Sequence, residues 1–442
     1  MDRLVVTLTV LAALVACGPG PARAEPAVAR PADLDAVEVY LLTYDVGDEI
    51  YTQWGHVTLR VRDAAAGTDL VFDWGVFDFS NPVRFAVKYL VGIPRYRLEV
   101  LPYAEMLARY ADARRTVWQD RLQLTRSEKA RLLERLAWNA RPENREYPYD
   151  NFDHNCAIKI RDYLDEALAG RIAGRFAGVE TTHTLREYVG AALGGRPFVA
   201  LGLDVLLNDA GEHRVTEWEE FFLPAKMRAH LLTMPASSPS PDPARLRPLL
   251  ADSTRVLAFP PRTAGRPSGY QLALVTLAPL LAAGAVFHRR PSPVARRWSL
   301  RLIGAGVFGV GLLAGALGTL MVFAWTLPDH AVLHHSANLW LFWPVDWIVA
   351  AFGFSLALRG RPWSTAEPRG GLIRLLAGAH AAAAAVFILL WAAGLIAQDV
   401  GRVAGYLVPL ALLTYAAVWR GTVAPQRVVQ PRAAVPARSL AA

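Results

Sequence analysis

Cysteine is nearly absent from this chain: the 442 residues contain two, Cys17 and Cys156. Cys17 lies in an apolar N-terminal stretch that reads as an export signal, so the rest of the chain holds one thiol and no disulfide framework. An unpaired thiol in an oxidising compartment is a liability unless it is buried or used. The histidines are scattered, which excludes a zinc spacing, and no glycine-rich loop is placed to cradle phosphate, so neither a metal nor another cofactor is expected. Nor is there a basic stripe interleaved with aromatics. The net charge of +8 comes largely from arginines that flank apolar runs, and nucleic acid is set aside as a partner.

Apolar residues are plentiful instead, at 53% of the chain with a mean hydropathy of +0.22, which is too much for one soluble domain of this length. The excess collects in the first 16 residues and after about residue 270. Arg3 followed by Leu4 to Ala16 without a charge, then Ala22-Arg23-Ala24, describes a signal peptide over 1–24. Leu14-Val15-Ala16-Cys17 also resembles a bacterial lipobox, which would place a lipid on Cys17.

Residues 30–234 have globular composition. Strands are predicted over Val37–Tyr44, His56–Arg62 and Leu70–Phe77, the second because Val57, Leu59 and Val61 alternate with polar residues. Helices are predicted over Pro102–Arg114, over Thr125–Ala140 behind a Thr125/Glu128 capping box, and from Cys156 to Ala169, stopping at Gly170. Residues 235–268 are rich in proline and serine and read as a linker. Five apolar runs follow within 269–420: Tyr270–Phe287, Leu302–Leu327, Leu339–Leu358, Leu375–Ile396 and Val403–Trp419. Each approaches the ~20 residues that cross a bilayer. Arginine-rich loops and the tail over 421–442 would face the cytoplasm, and the globular domain would face outward with the loop Pro328–Asn338. Gly311 and Gly315 offer a face for close helix packing, although glycine is also simply common in membrane helices.

The chemistry centres on Cys156. Asn155 and Asp153 are good N-cap types, so the thiol falls in the first turn of a helix, where partial positive charge and a nearby imidazole favour a thiolate nucleophile. A buried structural cysteine fits the same local sequence. His56 is the candidate base, with His154 and His183 as rivals placed on a loop and at a helix entry. Asp346 within the third run is a candidate functional group because a carboxylate is costly in lipid, and water exposure near the interface would also explain it. His380 reads as a packing or interhelix bonding residue.

Trp54-Gly55-His56-Val57, Trp74-Gly75-Val76-Phe77-Asp78-Phe79, Val91-Gly92-Ile93-Pro94-Arg95-Tyr96, Leu122-Gln123-Leu124-Thr125 and Asp153-His154-Asn155-Cys156 together resemble the ordered motifs of the Lnb N-terminal periplasmic domain family (DUF4105), found in Lnb-type lipoprotein N-acyltransferases. Asp329-His330 and Asn338-Leu339-Trp340-Leu341-Phe342-Trp343-Pro344 resemble the family's outward membrane loop. The chain departs from the pattern at Asp73-Trp74-Gly75, where the family has Asn-Tyr-Gly, and at Ser336 and Trp343, where it has asparagine. The resemblance implies an α+β permuted papain-like domain, akin to NlpC/P60 enzymes in which the histidine precedes the cysteine, followed by an all-α membrane domain of five transmembrane helices. It also implies a multi-pass protein of the bacterial inner membrane with its N-terminal domain in the periplasm.

On that resemblance His56 would take the thiol proton and Cys156 would attack an acyl ester of membrane phospholipid, the donor. The resulting thioester would pass its acyl chain to the N-terminal amine of a diacylated lipoprotein, the acceptor. Backbone N–H groups at the helix start, with Asn155, would hold the oxyanion. Asp73 would orient the imidazole or serve as a strand-edge residue. His330, Asn338, Asp346 and His154 would line a substrate or lipid site, with an interfacial loop residue as the alternative for His330. The competing functions are a cell-wall amidase or endopeptidase, a lipid hydrolase with the same dyad, and a non-enzymatic membrane scaffold.

Overall fold

The computed structural model describes residues 28, 31–77, 95–193, 197–237, 247–260, 292–326 and 333–423. They fall into two compact units. The first holds the described residues up to 200 and 210–260; the second holds 201–209, 292–326 and 333–423. The expected signal peptide with Cys17, the first apolar run and His330 lie outside the described residues.

In chain order the first unit begins β1 (Val37–Tyr44), β2 (His56–Asp63), β3 (Thr68–Val76), β4 (Arg95–Pro102), α1 (Tyr103–Asp112), β5 (Val117–Leu122), α2 (Arg126–Asn139), β6 (Glu146–Pro148) and α3 (Cys156–Ala167). It continues with α4 (Arg171–Phe176), β7 (Glu180–Thr184), α5 (Leu185–Ala192), the start of α6 (Pro197–Leu206), β8 (Arg214–Thr216), α7 (Pro224–Thr233) and β9 (Leu250–Leu257). Seven strands form one sheet in the order β6-β4-β3-β2-β1-β5-β9, and every neighbouring pair is antiparallel.

Alternation sets the faces. Val57, Leu59 and Trp74 are fully buried on the side that holds Leu136 of α2 and Leu164 of α3, while Tyr44 and Val71 pack with Met106 of α1 on the other side. Burying a Val or Leu side chain contributes about 1.5–3 kcal/mol. A one-residue slip of β2 would exchange Val57, Leu59 and Val61 for Thr58, Arg60 and Arg62, so the Tyr44↔His56 register is strongly held.

The helix starts follow their caps. Thr125 and Glu128 form the reciprocal capping box of α2, and the Asn155 side chain accepts a hydrogen bond from the Ile158 N–H at the start of α3. One expectation needs correction: within the stretch read as a linker, Leu250–Leu257 is an edge strand paired with β5. Leu249 and Leu250 are buried in the core beside it, which the surrounding prolines obscure.

The second unit is helical: α8 (Pro293–Ala324), α9 (Asp346–Arg359), α10 (Pro368–Ala392) and α11 (Gly401–Arg420). Among the described residues three segments are long and apolar enough to cross a membrane: Pro293–Ala324, Pro368–Ala392 and Val403–Arg420. The apolar run Leu339–Leu358 is not one helix. A 3-10 turn at Ala337–Trp340 and Pro344 interrupt it, and α9 has 14 residues, about 21 Å at 1.5 Å per residue. Glycines let α8 and α9 touch backbone to backbone: a Cβ on Gly311 would lie 2.4 Å from Ala350 N, and one on Gly353 2.3 Å from Phe308 N.

Candidate active site

The site forms where β2 begins, β3 bulges and α3 starts. Gly55 precedes β2 with φ +78, and a Cβ there would stand 2.9 Å from the Tyr44 carbonyl, so glycine alone fits the approach to His56. Asp73, one residue beyond the Leu59↔Phe72 pair, places Oδ1 2.6 Å from His56 Nε2. Both side chains are largely enclosed, at 18% and 11% exposed.

Cys156 is the first residue of α3, 8% exposed, at the positive end of the helix. The sheet makes room for it through the bulge between Trp74 and Val76, where Gly75 adopts φ +95. A Cβ on Gly75 would lie 3.7 Å from Cys156 Cβ and 3.9 Å from the Tyr149 ring. Asn139 ties the elements together from behind, its Oδ1 accepting from Trp74 Nε1 at 2.8 Å and Tyr163 Oη at 2.9 Å. These two bonds join β3, which carries Asp73, to α2 and to α3, which carries Cys156.

Burial, the largest influence on His56, would lower its pKa. Tyr110, Cys156 and Asp73 act electrostatically against it, and with the Asp73 hydrogen bond they hold the imidazole pKa well above its ordinary value. Tyr110 lies over this region, stacked on Tyr44 at 3.7 Å between centroids and nearly parallel to His56 at 6.5 Å. Burial is the largest influence on Tyr110 and raises its pKa, while His56 acts against it.

The expected residues divide cleanly. His56, Asp73, Asn155 and Cys156 come together. Asn155 does so as a cap: Nδ2 donates to the Asn151 carbonyl at 2.9 Å and the Phe222 carbonyl at 2.8 Å, and Oδ1 accepts from Ile158 at 3.0 Å. Both amide hydrogens are thus committed, and the donors left for an oxyanion are the first backbone N–H groups of α3. His154 is exposed on the preceding turn and His183 is exposed on β7.

In the second unit Asp346 opens α9 and fastens the turn before it, Oδ2 accepting from Trp343 N at 3.0 Å while Oδ1 lies 3.2 Å from His380 Nδ1. Asn338 is fully buried and donates to the carbonyls of Asp204 at 3.2 Å and Val205 at 3.1 Å. Sequence reasoning overlooked Tyr110, Gly75 and Asn139. The glycine two residues after Asp73 in Asp73-Trp74-Gly75 was the available signal; Tyr110 and Asn139 sit among ordinary helical residues and gave none. Among the described residues no group of three or more metal-ligating side chains assembles.

Residues 24–188 match the family described as the Lnb N-terminal periplasmic domain. The match spans His56, Asp73, Asn155 and Cys156 and ends before the helical unit, so the likeness read from the motifs is shown for this stretch. No curated protein and no solved structure matches the chain.

Proposed function

We propose that this protein is a cysteine acyltransferase, a multi-pass protein of the bacterial inner membrane, that moves an acyl chain from phospholipid to the N-terminal amine of a diacylated lipoprotein. The observation that carries this reading is the Asp73–His56–Cys156 constellation in a stretch matching the Lnb N-terminal periplasmic domain, on a chain whose described residues include three helices long and apolar enough to cross a membrane. We read the domain as a permuted papain-like arrangement, because the histidine strand precedes the cysteine helix in the chain.

With Nε2 held by Asp73, Nδ1 is the ring nitrogen that serves the thiol. The imidazole takes the thiol proton, and its raised pKa favours holding it while sulfur attacks. The thiolate attacks the ester carbonyl, and the N–H groups opening α3 stabilise the oxyanion. As the C–O bond breaks, His56 delivers its proton to the leaving glycerol oxygen, releasing lysophospholipid. Neutral His56 then takes a proton from the acceptor amine, which attacks the thioester; the C–S bond breaks to give an amide and regenerate the pair.

The test is mass spectrometry of lipoprotein N-termini in a host lacking other N-acylation, with the parent protein and with Cys156→Ala. Triacylated termini with the parent and diacylated termini with the variant are expected. Diacylated termini in both would overturn the transfer. Purified protein that forms a thioester on Cys156 but releases only free fatty acid in the presence of a lipopeptide would make it a hydrolase.

A further inference from the structure

Next to the turn that leads into His56 lies a second feature that the proposed chemistry leaves unused. A cavity of about 190 Å3 is bounded by Thr43, Trp54, Gly55, Trp118, Ala225 and Arg228, all in the first unit. It adjoins the site through Gly55, which directly precedes His56 and whose added Cβ would lie 3.8 Å from Pro224 Cβ. The chain just before Pro224 is fastened to the Cys156 helix by the Asn155–Phe222 bond.

Two of its lining residues carry buried polar atoms with no hydrogen-bond partner among the described residues: Thr43 Oγ1 and Trp54 Nε1. Thr43 is 5% exposed. An unmet buried polar group costs about 1–3 kcal/mol, so two in one wall call for an occupant. One or two structural waters are too small an answer, since a water needs roughly 10–15 Å3 of such space.

The chemistry of the wall selects among larger occupants. The indole N–H only donates and so requires an acceptor, whereas the hydroxyl can accept. The one guanidinium on the wall, Arg228, is already paired with fully buried Asp120, Nε at 2.6 Å and Nη2 at 2.9 Å. Asp45 adds a carboxylate to the lining. A phosphate or carboxylate would therefore meet no unpaired cation here, while a peptide unit offers one C=O for Trp54 and one N–H for Thr43.

We propose that this cavity binds a peptide segment of the acyl acceptor, through Trp54 Nε1 and Thr43 Oγ1, and so delivers the acceptor amine to the thioester beside His56. The proposal rests on the acyl-transfer reading for the identity of the peptide, but the binding itself can be measured without turnover.

The probe is a fluorescent tetrapeptide amide without lipid, titrated by anisotropy into full-length Cys156→Ala protein in detergent micelles. Thr43→Val, which keeps the shape and removes the hydroxyl, and Trp54→Phe, which removes the N–H together with the five-membered ring, should each weaken binding about threefold to tenfold. Ala225→Trp, which narrows the exposed mouth, should abolish it. Equal affinity in all four proteins, or no binding by the parent, would overturn the proposal. So would displacement of the peptide by glycerophosphoethanolamine, because the cavity would then serve the donor headgroup.

In the Cys156-containing enzyme the same substitutions should raise KM for a diacylated lipopeptide. The amount of phospholipid-derived thioester on Cys156, read by intact mass, should be unchanged. Absence of thioester in the parent would count against the transferase reading alone, leaving the anisotropy result to decide the cavity.

Discussion

Two of the enclosed histidine–carboxylate pairs among the described residues, one in each unit, are put to opposite uses. In the first unit His56 engages Asp73 through Nε2, and Cys156 stands close enough to influence its charge. In the second unit His380 is bonded on both sides, Nδ1 to Asp346 at 3.2 Å and Nε2 to the Leu341 carbonyl at 2.8 Å, with its ring lying flat on Trp343 at 4.9 Å. The contrast teaches that pairing with a carboxylate does not make a histidine chemical. One ring nitrogen has to be left facing a nucleophile; where both are bonded, the pair holds α9, α10 and the Trp343–Pro344 turn together.

The largest break in the comparison is at the thiol. Cys156→Ser should abolish thioester formation and lower acyl transfer by more than about a thousandfold, with a thermal midpoint within a degree or two of the parent. Removing the charge but not the shape of the first carboxylate, Asp73→Asn, should reduce kcat by roughly a hundredfold or more, because imidazole orientation and imidazolium stabilisation are both weakened. Asp346→Asn in the second pair should instead lower stability by about 1–3 kcal/mol in detergent while the activity of the folded fraction is retained. Comparable loss of kcat per folded molecule in the two asparagine variants would erase the distinction.

A titration sharpens the same contrast. The folded His56 pKa is raised, so the stability it contributes is fully present below its unfolded value of about 6.5 and is lost as pH rises through the folded value. Parent stability should therefore decline over that alkaline interval, and Asp73→Asn, which leaves the Tyr110 and Cys156 influences in place, should shift the decline toward lower pH; superimposable profiles would remove Asp73 as a contributor. The smallest effect is expected at Asn155→Ala, about 1 kcal/mol from the lost cap, with slower alkylation of Cys156 as the helix start frays.

Much of the scaffold was legible because local rules and packing agree there. Val37–Tyr44 was predicted to its observed bounds, and the strand at His56 to within one residue of its end, because alternating Val and Leu side chains line a buried face. The capping box at Thr125 and the cap at Asn155 were readable for the same reason. The edge strand at Leu250–Leu257 was not: its four central residues, Asp252 to Arg255, are polar and exposed, and its order comes from pairing with β5 across more than a hundred residues of chain. The third apolar run misled because hydropathy averages over Pro344, whereas a helix cannot pass its ring without losing backbone bonds.

The site itself divides along the same line. Sequence alone determined that a lone thiol opens a helix behind an asparagine cap and that a histidine starts a strand after a glycine, since both depend on neighbours a few residues away. Only the tertiary structure decided which carboxylate meets which histidine. Asp73 reaches His56 because antiparallel register and the Gly75 bulge place them together, and Asp346 reaches His380 because α9 packs on α10. Those distances are set by the burial of whole faces, a property that no single segment carries.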